Sequence, residues 1–267
     1  MRTTDPYAEL ADPFARHYRT IRGQVRETLA ARQLAAHLPP PPAEIADIGG
    51  GAGPQALRLA RAGYRVTILD PSEEMLGQAR EAIAGEAAQV ADRLRLVSGY
   101  GEDAADLLGA AAFDAAICHG VIMYVDDPEA IVAGLGRIAR PGGIVSVITK
   151  NAEALAMRAA LEGRFADALA AFDVHADVGG MGVRNRAHTV ADIEQWLHGA
   201  GCDLETWYGI RVFTDHLGDA PPDEDMADIL AAEAAAGERD PYRGVARLIH
   251  VVARRRGAPT VAQTTSR

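Results

Sequence analysis

Short apolar runs alternate with amphipathic stretches along most of the 267-residue chain. The amphipathic stretches at residues 54–63 and 127–139 have the spacing of helices that bury one face. The apolar runs predict strands at residues 44–48, 65–69, 93–98, 113–118, 144–149, 202–212 and 248–253. Strands that alternate with helices predict an α/β fold with a parallel, doubly wound sheet.

The two ends of the chain and residues 151–188 depart from this alternation. A helix is predicted over residues 23–38, where Pro39 to Pro42 end it. This N-terminal part either packs on the core or closes over the ligand as a lid. The predicted partition is an N-terminal helical lid at 1–42, a ligand-binding core at 43–150, a helical insertion at 151–188 beside the acceptor, the C-terminal part of the core sheet at 189–256 and a flexible tail at 257–267.

An acid and a glycine-rich turn follow the first predicted strand. Asp47 precedes the turn, which runs from Gly49 to Gly53 and leads into Pro54. Glycine permits positive φ and has no Cβ to block a ligand on the backbone, and proline suits the first helical position. Ligands of such sheets lie at the carboxyl ends of the strands. Further candidate residues at these strand ends are Asp70, Gly101, Glu102 and His119.

Two classes of adenosine cofactor fit this turn. A dinucleotide fingerprint has a third glycine one helical turn further on, where this chain has Pro54. Asp70 suits the ribose hydroxyls of either cofactor. The combined pattern of Asp47, Asp70, residues 101–103 and the Arg-Pro-Gly-Gly turn at 140–143 resembles the class I S-adenosylmethionine (SAM)-dependent methyltransferases. That resemblance implies a Rossmann-like fold, with a seven-stranded, mostly parallel sheet and helices on both faces. A NAD-dependent oxidoreductase is the alternative class.

A narrower resemblance extends from about residue 7 to residue 254. It rests on the stretches Arg22-Gly23-Gln24-Val25-Arg26, Asp47-Ile48-Gly49-Gly50-Gly51, Lys150-Asn151-Ala152, Gly209-Ile210-Arg211-Val212-Phe213-Thr214-Asp215 and Ile249-His250-Val251. These stretches resemble the bacterial tRNA 5-carboxymethoxyuridine methyltransferase family.

The resemblance implies a set of residues that bind SAM. Arg26 would clamp the methionine carboxylate, because guanidinium groups pair well with carboxylates. The alternatives are a solvated helix residue for Arg26, a helix cap for Asp70 and a satisfied core histidine for His119. The implied cofactor contacts are Arg26, Asp47, Gly49, Gly50, Gly51, Asp70, Gly101, Glu102 and His119.

The methyl acceptor is expected at the far wall of the site. A carboxylate is already ionised at pH 7 and needs no base, whereas a hydroxyl or amine benefits from one. Arg211 is the best candidate to hold an anionic acceptor by bidentate pairing, with a strand ion pair as its alternative. Tyr124 is equally a candidate packing aromatic. The predicted catalytic residues are His119, Tyr124 and Arg211, and the predicted substrate contacts are Tyr18, Lys150, Asn151 and Arg211.

Charge limits the choice of acceptor. The formal net charge of -10 disfavours an extended surface for polyanions. The tRNA family that the chain resembles carries a lysine-rich run in the insertion, where residues 173–188 of this chain have no lysine and only Arg184, Arg186 and the histidines His175 and His188 as basic residues. We therefore expect SAM-dependent methylation at oxygen, or less readily nitrogen, of a small polar metabolite. The alternatives are the wobble carboxymethoxyuridine of tRNA and a non-catalytic SAM-binding module.

Other features limit the setting of the protein. No metal-ligand spacing occurs, and no apolar run approaches the roughly 20 residues that span a bilayer. The N-terminus lacks an apolar signal region. Cys118 and Cys202 lie in apolar, strand-like surroundings, as buried free thiols do. These features predict a cytoplasmic protein without a membrane partner or a metal, either a monomer or a homodimer.

Overall fold

The computed structural model describes residues 19–174, 176–178, 184–222 and 224–257. A seven-stranded sheet forms the centre of this part of the chain. Its strands are β1 Glu44–Ile48, β2 Arg65–Asp70, β3 Leu94–Ser98, β4 Phe113–His119, β5 Ala139–Lys150, β8 Cys202–Ile210 and β9 Leu248–Arg255. The strands β6 Ala176–Val178 and β7 Arg184–Arg186 form a separate two-stranded sheet.

The order of the strands in the sheet is β3-β2-β1-β4-β5-β9-β8. Strands β1 to β5 pair in parallel, and β9 runs antiparallel to both of its neighbours. Chain order reverses between β1 and β4, so a crevice opens there at the carboxyl ends of the strands. The predicted fold class, a Rossmann-like and mostly parallel seven-stranded sheet, is confirmed.

Helices cover both faces of the sheet. Alternate residues of β1 point to opposite faces, so Ile45 packs with Leu76 while Ile48 packs with Ile131. Strands buried on both faces carry nearly continuous apolar runs, as the pattern predicted. The α-helices of the described residues are α1 Ile21–Ala35, α2 Pro54–Arg61, α3 Glu73–Ala84, α4 Ala88–Ala91, α5 Ala104–Leu108, α6 Pro128–Ile138, α7 Leu155–Leu161, α8 Phe165–Ala170, α9 Val190–Gly199 and α10 Met226–Gly237.

Helix α1 is built into the core. The Thr20 hydroxyl caps it by accepting the Gly23 N–H at 3.1 Å. Its buried face carries Val25 and Leu29, which are 0% and 1% exposed. Such packing favours a fixed wall of the site over a movable lid for this helix. The predicted division into five segments otherwise stays a prediction, and the tail beyond residue 257 lies outside the described residues.

Two irregular regions differ from the predicted pattern. Strand β5 begins at Ala139 rather than at Ile144, because residues 140–143 form a bulge within it. Gly142 takes a φ of +79° in this bulge. The insertion predicted as helical at 151–188 also contains the antiparallel strand pair β6 and β7. This small sheet lies in the insertion that follows β5.

Candidate active site

The glycine-rich turn is held tightly between β1 and the end of β4. Gly49 has a φ of +70°, and a Cβ there would lie 2.3 Å from a methyl group of Val121. Gly51 has a φ of +55°, and its N–H donates to Asp70 Oδ2 at 2.9 Å. Only glycine meets both the backbone angle and the close approach at position 49. The turn thus leaves bare backbone at the crevice.

Asp70 ties the turn to the next helix. Its Oδ1 accepts the Ser72 N–H at 2.9 Å, while Oδ2 accepts from Gly51. Ser72 itself caps α3 by accepting the Met75 N–H at 3.3 Å. The side chain of Asp70 therefore fixes the floor of the site. Its predicted contact with ribose hydroxyls stays a prediction.

Asp47 is the unusual charge at the end of β1. It is 3% exposed, and its Oδ2 has no hydrogen-bond partner. Burial raises the pKa of Asp47 to about 7, with Asp70 and Glu27 adding to the rise and Arg26 opposing it. A buried carboxylate with one unbonded oxygen suits a ligand that carries positive charge, as SAM does.

Arg26 approaches the same crevice from α1. Its Nη2 donates to the backbone carbonyl of His119 at 3.1 Å, and its Nη1 lies 2.5 Å from Glu27 Oε1. The guanidinium also packs on Gly120, where a Cβ would lie 2.9 Å from Nη2. A solvated helix position does not describe this arrangement. The guanidinium charge that a clamp on the methionine carboxylate needs is therefore at the crevice, and the clamp itself stays a prediction.

The His119 ring faces the interior instead of the acceptor. Its Nδ1 and Nε2 each lie 2.8 Å from a partner, Gln55 Oε1 and Ser146 Oγ. The chain of hydrogen bonds continues from Ser146 to His250 and from His250 to Gln33, again at 2.8 Å each. Burial lowers the pKa of His119 well below its usual value. The geometry favours the alternative of a satisfied core histidine, so we assign no chemical step to this ring.

Gly101 and Glu102 lie at the carboxyl end of β3, in a short 3-10 turn at 101–103. A Cβ on Gly101 would lie 3.0 Å from Ile48 and 3.3 Å from Ile131. The turn is thus packed against the same layer as the end of β1. A border for the adenine at this position stays a prediction.

The end of β5 carries two predicted substrate contacts. Lys150 is buried and its Nζ donates to Asn185 Oδ1, which joins the insertion to the sheet. Asn151 Nδ2 donates to the carbonyls of Gly244 and Ala246 at 2.9 Å each, and its Oδ1 accepts a backbone N–H. All hydrogen-bonding groups of this amide are thus used within the protein. Asn151 connects the end of β5 to residues 244–246 and has no group left over for the expected contact with the acceptor.

Of the two predicted tyrosines, the structure describes only Tyr124. Tyr124 lies in a 3-10 turn at 122–124 and is partly buried beside the apolar cluster of Val25 and Met123. This is the arrangement of a packing aromatic. Tyr18 lies outside the described residues.

Arg211 lies in a buried group of charges at the end of β8. Its Nε is 3.5 Å from Asp215 Oδ1, and Arg247 Nε is 3.7 Å from Asp215 Oδ2. Burial lowers the pKa of Arg211 to about 10; Asp215 opposes this, and Arg247, Arg22 and Arg26 add to it. We call Arg22, Arg211 and Arg247 with Asp215 the arginine cluster.

The arginine cluster contains several buried polar atoms that make no hydrogen bond, although some of them form the long ion pairs given above. Neither carboxylate oxygen of Asp215 makes a hydrogen bond, and Arg211 Nε and Arg22 Nε also lack one. All three residues are at most 8% exposed. Buried polar atoms are normally paired, so such a group marks a place where a polar ligand can bind. Arg22 Nη2 donates to the largely exposed Asp219, so three guanidinium groups meet two carboxylates here and the net charge is positive.

Sequence reasoning missed Arg22, Arg247 and Asp215 as members of one site. Arg22 and Asp215 lie in the stretches that carry the family resemblance, and this was their only signal. Nothing local indicates that residues 22, 211 and 247 converge. Their meeting depends on α1 packing against the ends of β8 and β9.

The described residues also bear on metal sites, membrane spans and thiols. Over the described ranges, no three His, Cys, Asp or Glu side chains are grouped as a metal site. In the part of the chain with assigned structure, every helix is too short or too polar to cross a membrane. Cys118 and Cys202 are both buried free thiols, as predicted.

Comparison with known proteins bears on this geometry. A methyltransferase domain family matches residues 46–147. The tRNA 5-carboxymethoxyuridine methyltransferase of Escherichia coli (strain K12) is 29% identical over 262 residues, which cover 93% of this chain and 95% of that protein. The ubiquinone biosynthesis O-methyltransferase of Xylella fastidiosa (strain 9a5c) is 30% identical over 180 residues, which cover 67% of this chain and 68% of that protein. The crystal structure of a SAM-dependent methyltransferase from Mesorhizobium loti has a TM-score of 0.58 and 22% identity, covering 86% of this chain and 100% of that one.

The sheet order, the glycine-rich turn and these similarities define a methyltransferase domain. The chain belongs to the class I SAM-dependent methyltransferases. It is an enzyme whose cofactor is SAM, and the NAD-dependent alternative is set aside. The bare backbone of the turn and the unbonded, buried Oδ2 of Asp47 fit a cofactor of positive charge.

Proposed function

We propose that this enzyme transfers the methyl group of SAM to an oxygen of a small polar acceptor that carries an anionic group. The observation that carries the proposal is the pair Arg22 and Arg26, which lie one helical turn apart on α1. Arg26 contacts the end of β4 beside the glycine-rich turn, and Arg22 belongs to the arginine cluster. One face of α1 therefore extends from the glycine-rich turn, where SAM is expected, to the arginine cluster, where we place the acceptor.

The chemistry supports oxygen over nitrogen. SAM supplies an activated methyl group, so the protein mainly aligns the acceptor, and alignment can be worth about 7–11 kcal/mol. A carboxylate is ionised at neutral pH and needs no base. Both nitrogens of the His119 ring are engaged inside the protein, and the nearby cluster offers guanidinium groups. These features suit an acceptor that arrives as an anion.

The insertion supports a small acceptor over a nucleic acid. Arg186 Nη1 donates to the carbonyls of Val125 and Asp126 at 2.9 and 2.6 Å, and its Nη2 lies 3.0 Å from Asp126 Oδ1. Arg158 and Arg164 both pair with Glu162. Basic side chains that neutralise the protein's own groups contribute little to phosphate binding. Affinity for nucleic acids rises steeply with the number of phosphate contacts.

The wobble carboxymethoxyuridine of tRNA is the second candidate. The similarity to the E. coli enzyme that bears this name, 29% over 93% of the chain, favours it. Its carboxylate would meet the same arginine cluster as the anion of a small acceptor. The two candidates differ in their need for phosphate contacts, and hence in the salt dependence of binding.

Labelled SAM tests the proposal. The protein is incubated with methyl-labelled SAM and fractionated cell extract, and label is followed into small molecules and into RNA. We expect label in a small, anionic molecule that resists ribonuclease. Label in tRNA, with affinity that falls steeply with salt, would establish the second candidate. Tight binding of SAM without label in any fraction would leave a non-catalytic SAM-binding module.

An Arg211→Ala variant tests the cationic place directly. Truncation of one member of a buried charge group costs about 2–5 kcal/mol of binding, so we expect at least a 30-fold loss of labelling at limiting acceptor. Affinity for SAM should stay within twofold. Arg239→Ala is the matched control, because Arg239 is exposed just beyond α10 and its Nη1 donates to the Ala235 carbonyl of that helix. Equal labelling by the two variants would refute the role of Arg211.

A further inference from the structure

Glu233 is a buried carboxylate that no step of the proposed reaction uses. It lies on α10 and is 0% exposed. Its Oε2 accepts the Val212 N–H at 2.7 Å, and its Oε1 accepts the N–H groups of Phe213 and Thr214 at 3.0 and 2.8 Å. The Thr214 hydroxyl donates to Oε1 at 2.6 Å. Four donors from one turn converge on this carboxylate.

The turn that Glu233 binds begins with a strained residue. Arg211 has a φ of +62°, in the left-handed region that side-chain-bearing residues rarely adopt. Successive N–H groups in such a turn form a concave anion site. Here the anion is the Glu233 carboxylate of the protein itself. Strain of this kind persists only where the surrounding structure fixes the backbone, and it is concentrated at functional sites.

The helix that carries Glu233 is fixed in position by a close backbone contact. A Cβ on Gly237 would lie 2.3 Å from the carbonyl oxygen of Gly209, so α10 touches β8 directly. Gly237 and Glu233 are one helical turn apart and share a face. On the other side of the turn, the Arg211 carbonyl accepts the Arg247 N–H at 3.1 Å. The backbone of Arg211 is thus held from both sides.

We propose that Glu233 is a positioning residue that aims the Arg211 guanidinium at the anionic group of the methyl acceptor. This inference rests on the proposed function. Glu233 touches neither SAM nor acceptor in this scheme. It acts through the peptide between Arg211 and Val212, whose N–H orientation depends on the backbone angle ψ of Arg211.

The substitution Glu233→Gln isolates that peptide. A glutamine oxygen in the place of Oε1 can still accept from Phe213 and Thr214. Its amide NH₂ then replaces Oε2 and faces the Val212 N–H. Because both groups are donors, the hydrogen bond from the N–H of Val212, the residue after Arg211, is lost. Glu238→Gln is the matched control, because Glu238 is exposed beyond the end of the same helix.

The Arg211 Nε–H signal in nitrogen–proton NMR reports the result, with its assignment taken from the signal that Arg211→Ala loses. The probe is sodium acetate, a simple carboxylate, titrated against sodium chloride at the same ionic strength. We expect wild type and Glu238→Gln to respond to acetate alike. Glu233→Gln should need at least tenfold more acetate, while its affinity for SAM stays within twofold. A merely structural role for Glu233 would move both affinities or neither.

The outcomes separate the two proposals. If the wild-type Arg211 signal does not change with acetate, the proposed binding of an anionic acceptor by Arg211 is refuted, and the inference about Glu233 is refuted with it. If wild type responds and Glu233→Gln responds equally, only the role of Glu233 is overturned. Should Glu233→Gln fail to fold, Thr214→Val removes just the hydroxyl donor and should weaken the acetate response at least threefold. An unchanged response in Thr214→Val would then overturn the inference.

Discussion

The substitution Asp47→Asn should stabilise the cofactor-free protein, and more so at higher pH. Burial, with help from Asp70 and Glu27, raises the pKa of Asp47 from the usual 3.8 to about 7. The folded protein therefore holds this proton more tightly than the unfolded chain does. Stability is thus lost as the pH rises from about 4 to about 7, and the loss is complete above that range. A difference of about three pH units, at about 1.4 kcal/mol each, corresponds to about 4 kcal/mol at pH 8.

Urea unfolding of both proteins at several pH values measures this effect. At pH 5 the ionised carboxylate destabilises the fold by only about 1.5 kcal/mol, so the advantage of Asp47→Asn should grow by about 3 kcal/mol between pH 5 and pH 8. Comparison with wild type removes the contributions of other titrating groups. Asp92→Asn is the control, because Asp92 is exposed and its substitution should give no such trend. An advantage that stays constant, or that shrinks with rising pH, would refute the reasoning.

The same carboxylate should make SAM binding depend on pH. Only the ionised form of Asp47 attracts a cationic ligand, so wild-type affinity should strengthen as the pH rises through about 7. Asp47→Asn should bind SAM more weakly at pH 8 and lose the pH dependence. Calorimetric titration with SAM at pH 6 and pH 8 measures both effects. Equal pH dependence in the two proteins would show that another group titrates.

Three further predictions concern single positions. Gly77→Ala should raise the free energy of unfolding by up to about 1 kcal/mol, because the added Cβ on α3 meets nothing within 4 Å. Gly49→Ala should lower it by more than about 1 kcal/mol, because the position has a positive φ and no space for a Cβ. Urea unfolding checks both, and similar effects would contradict the geometry. Arg26→Ala should weaken SAM binding at least tenfold in calorimetry and exposed Arg32→Ala should not; equal affinities would remove Arg26 from the clamp. Burial lowers the pKa of His250 to about 3, so the neutral ring contributes stability that is lost as the pH falls below about 6.5. The difference in free energy of unfolding between wild type and His250→Gln should therefore shrink by about 2 kcal/mol from pH 7 to pH 5. A constant difference would contradict this prediction.

The sequence was most informative where local chemistry decides the structure. Strand β1 lies at the predicted residues, because a short apolar run in a parallel sheet is buried on both faces. The Ser72 and Thr189 caps follow the same logic, since each hydroxyl accepts a backbone N–H of the helix that it begins. Positive φ at Gly49 and Gly51 needs glycine, whatever the rest of the fold does.

The acceptor side could not be predicted in this way, because it depends on contacts between distant segments. Arg211 and Asp215 are close in sequence, but Arg247 joins them only because β9 lies beside β8 in the sheet. Likewise, Glu233 reaches the turn after β8 only because α10 packs closely on that strand. Neither a charge pattern nor hydrophobic spacing reports on such packing. His119 and Asn151 look like ligand contacts for the same reason, since their internal partners are remote in sequence.

The two ends of the site have opposite electrostatic character, and α1 connects them. At the cofactor end, the buried Asp47 carboxylate, whose Oδ2 makes no hydrogen bond, favours a cation. At the other end, Arg22, Arg211 and Arg247 outnumber Asp215 and Asp219, which leaves a positive charge that favours an anion. Under the proposed function, a cationic methyl donor and an anionic acceptor that enter such a field are each drawn to their own end. Because the pKa of Arg211 is about 10 and that of Asp47 about 7, acid impairs the cofactor end first and leaves the acceptor end charged.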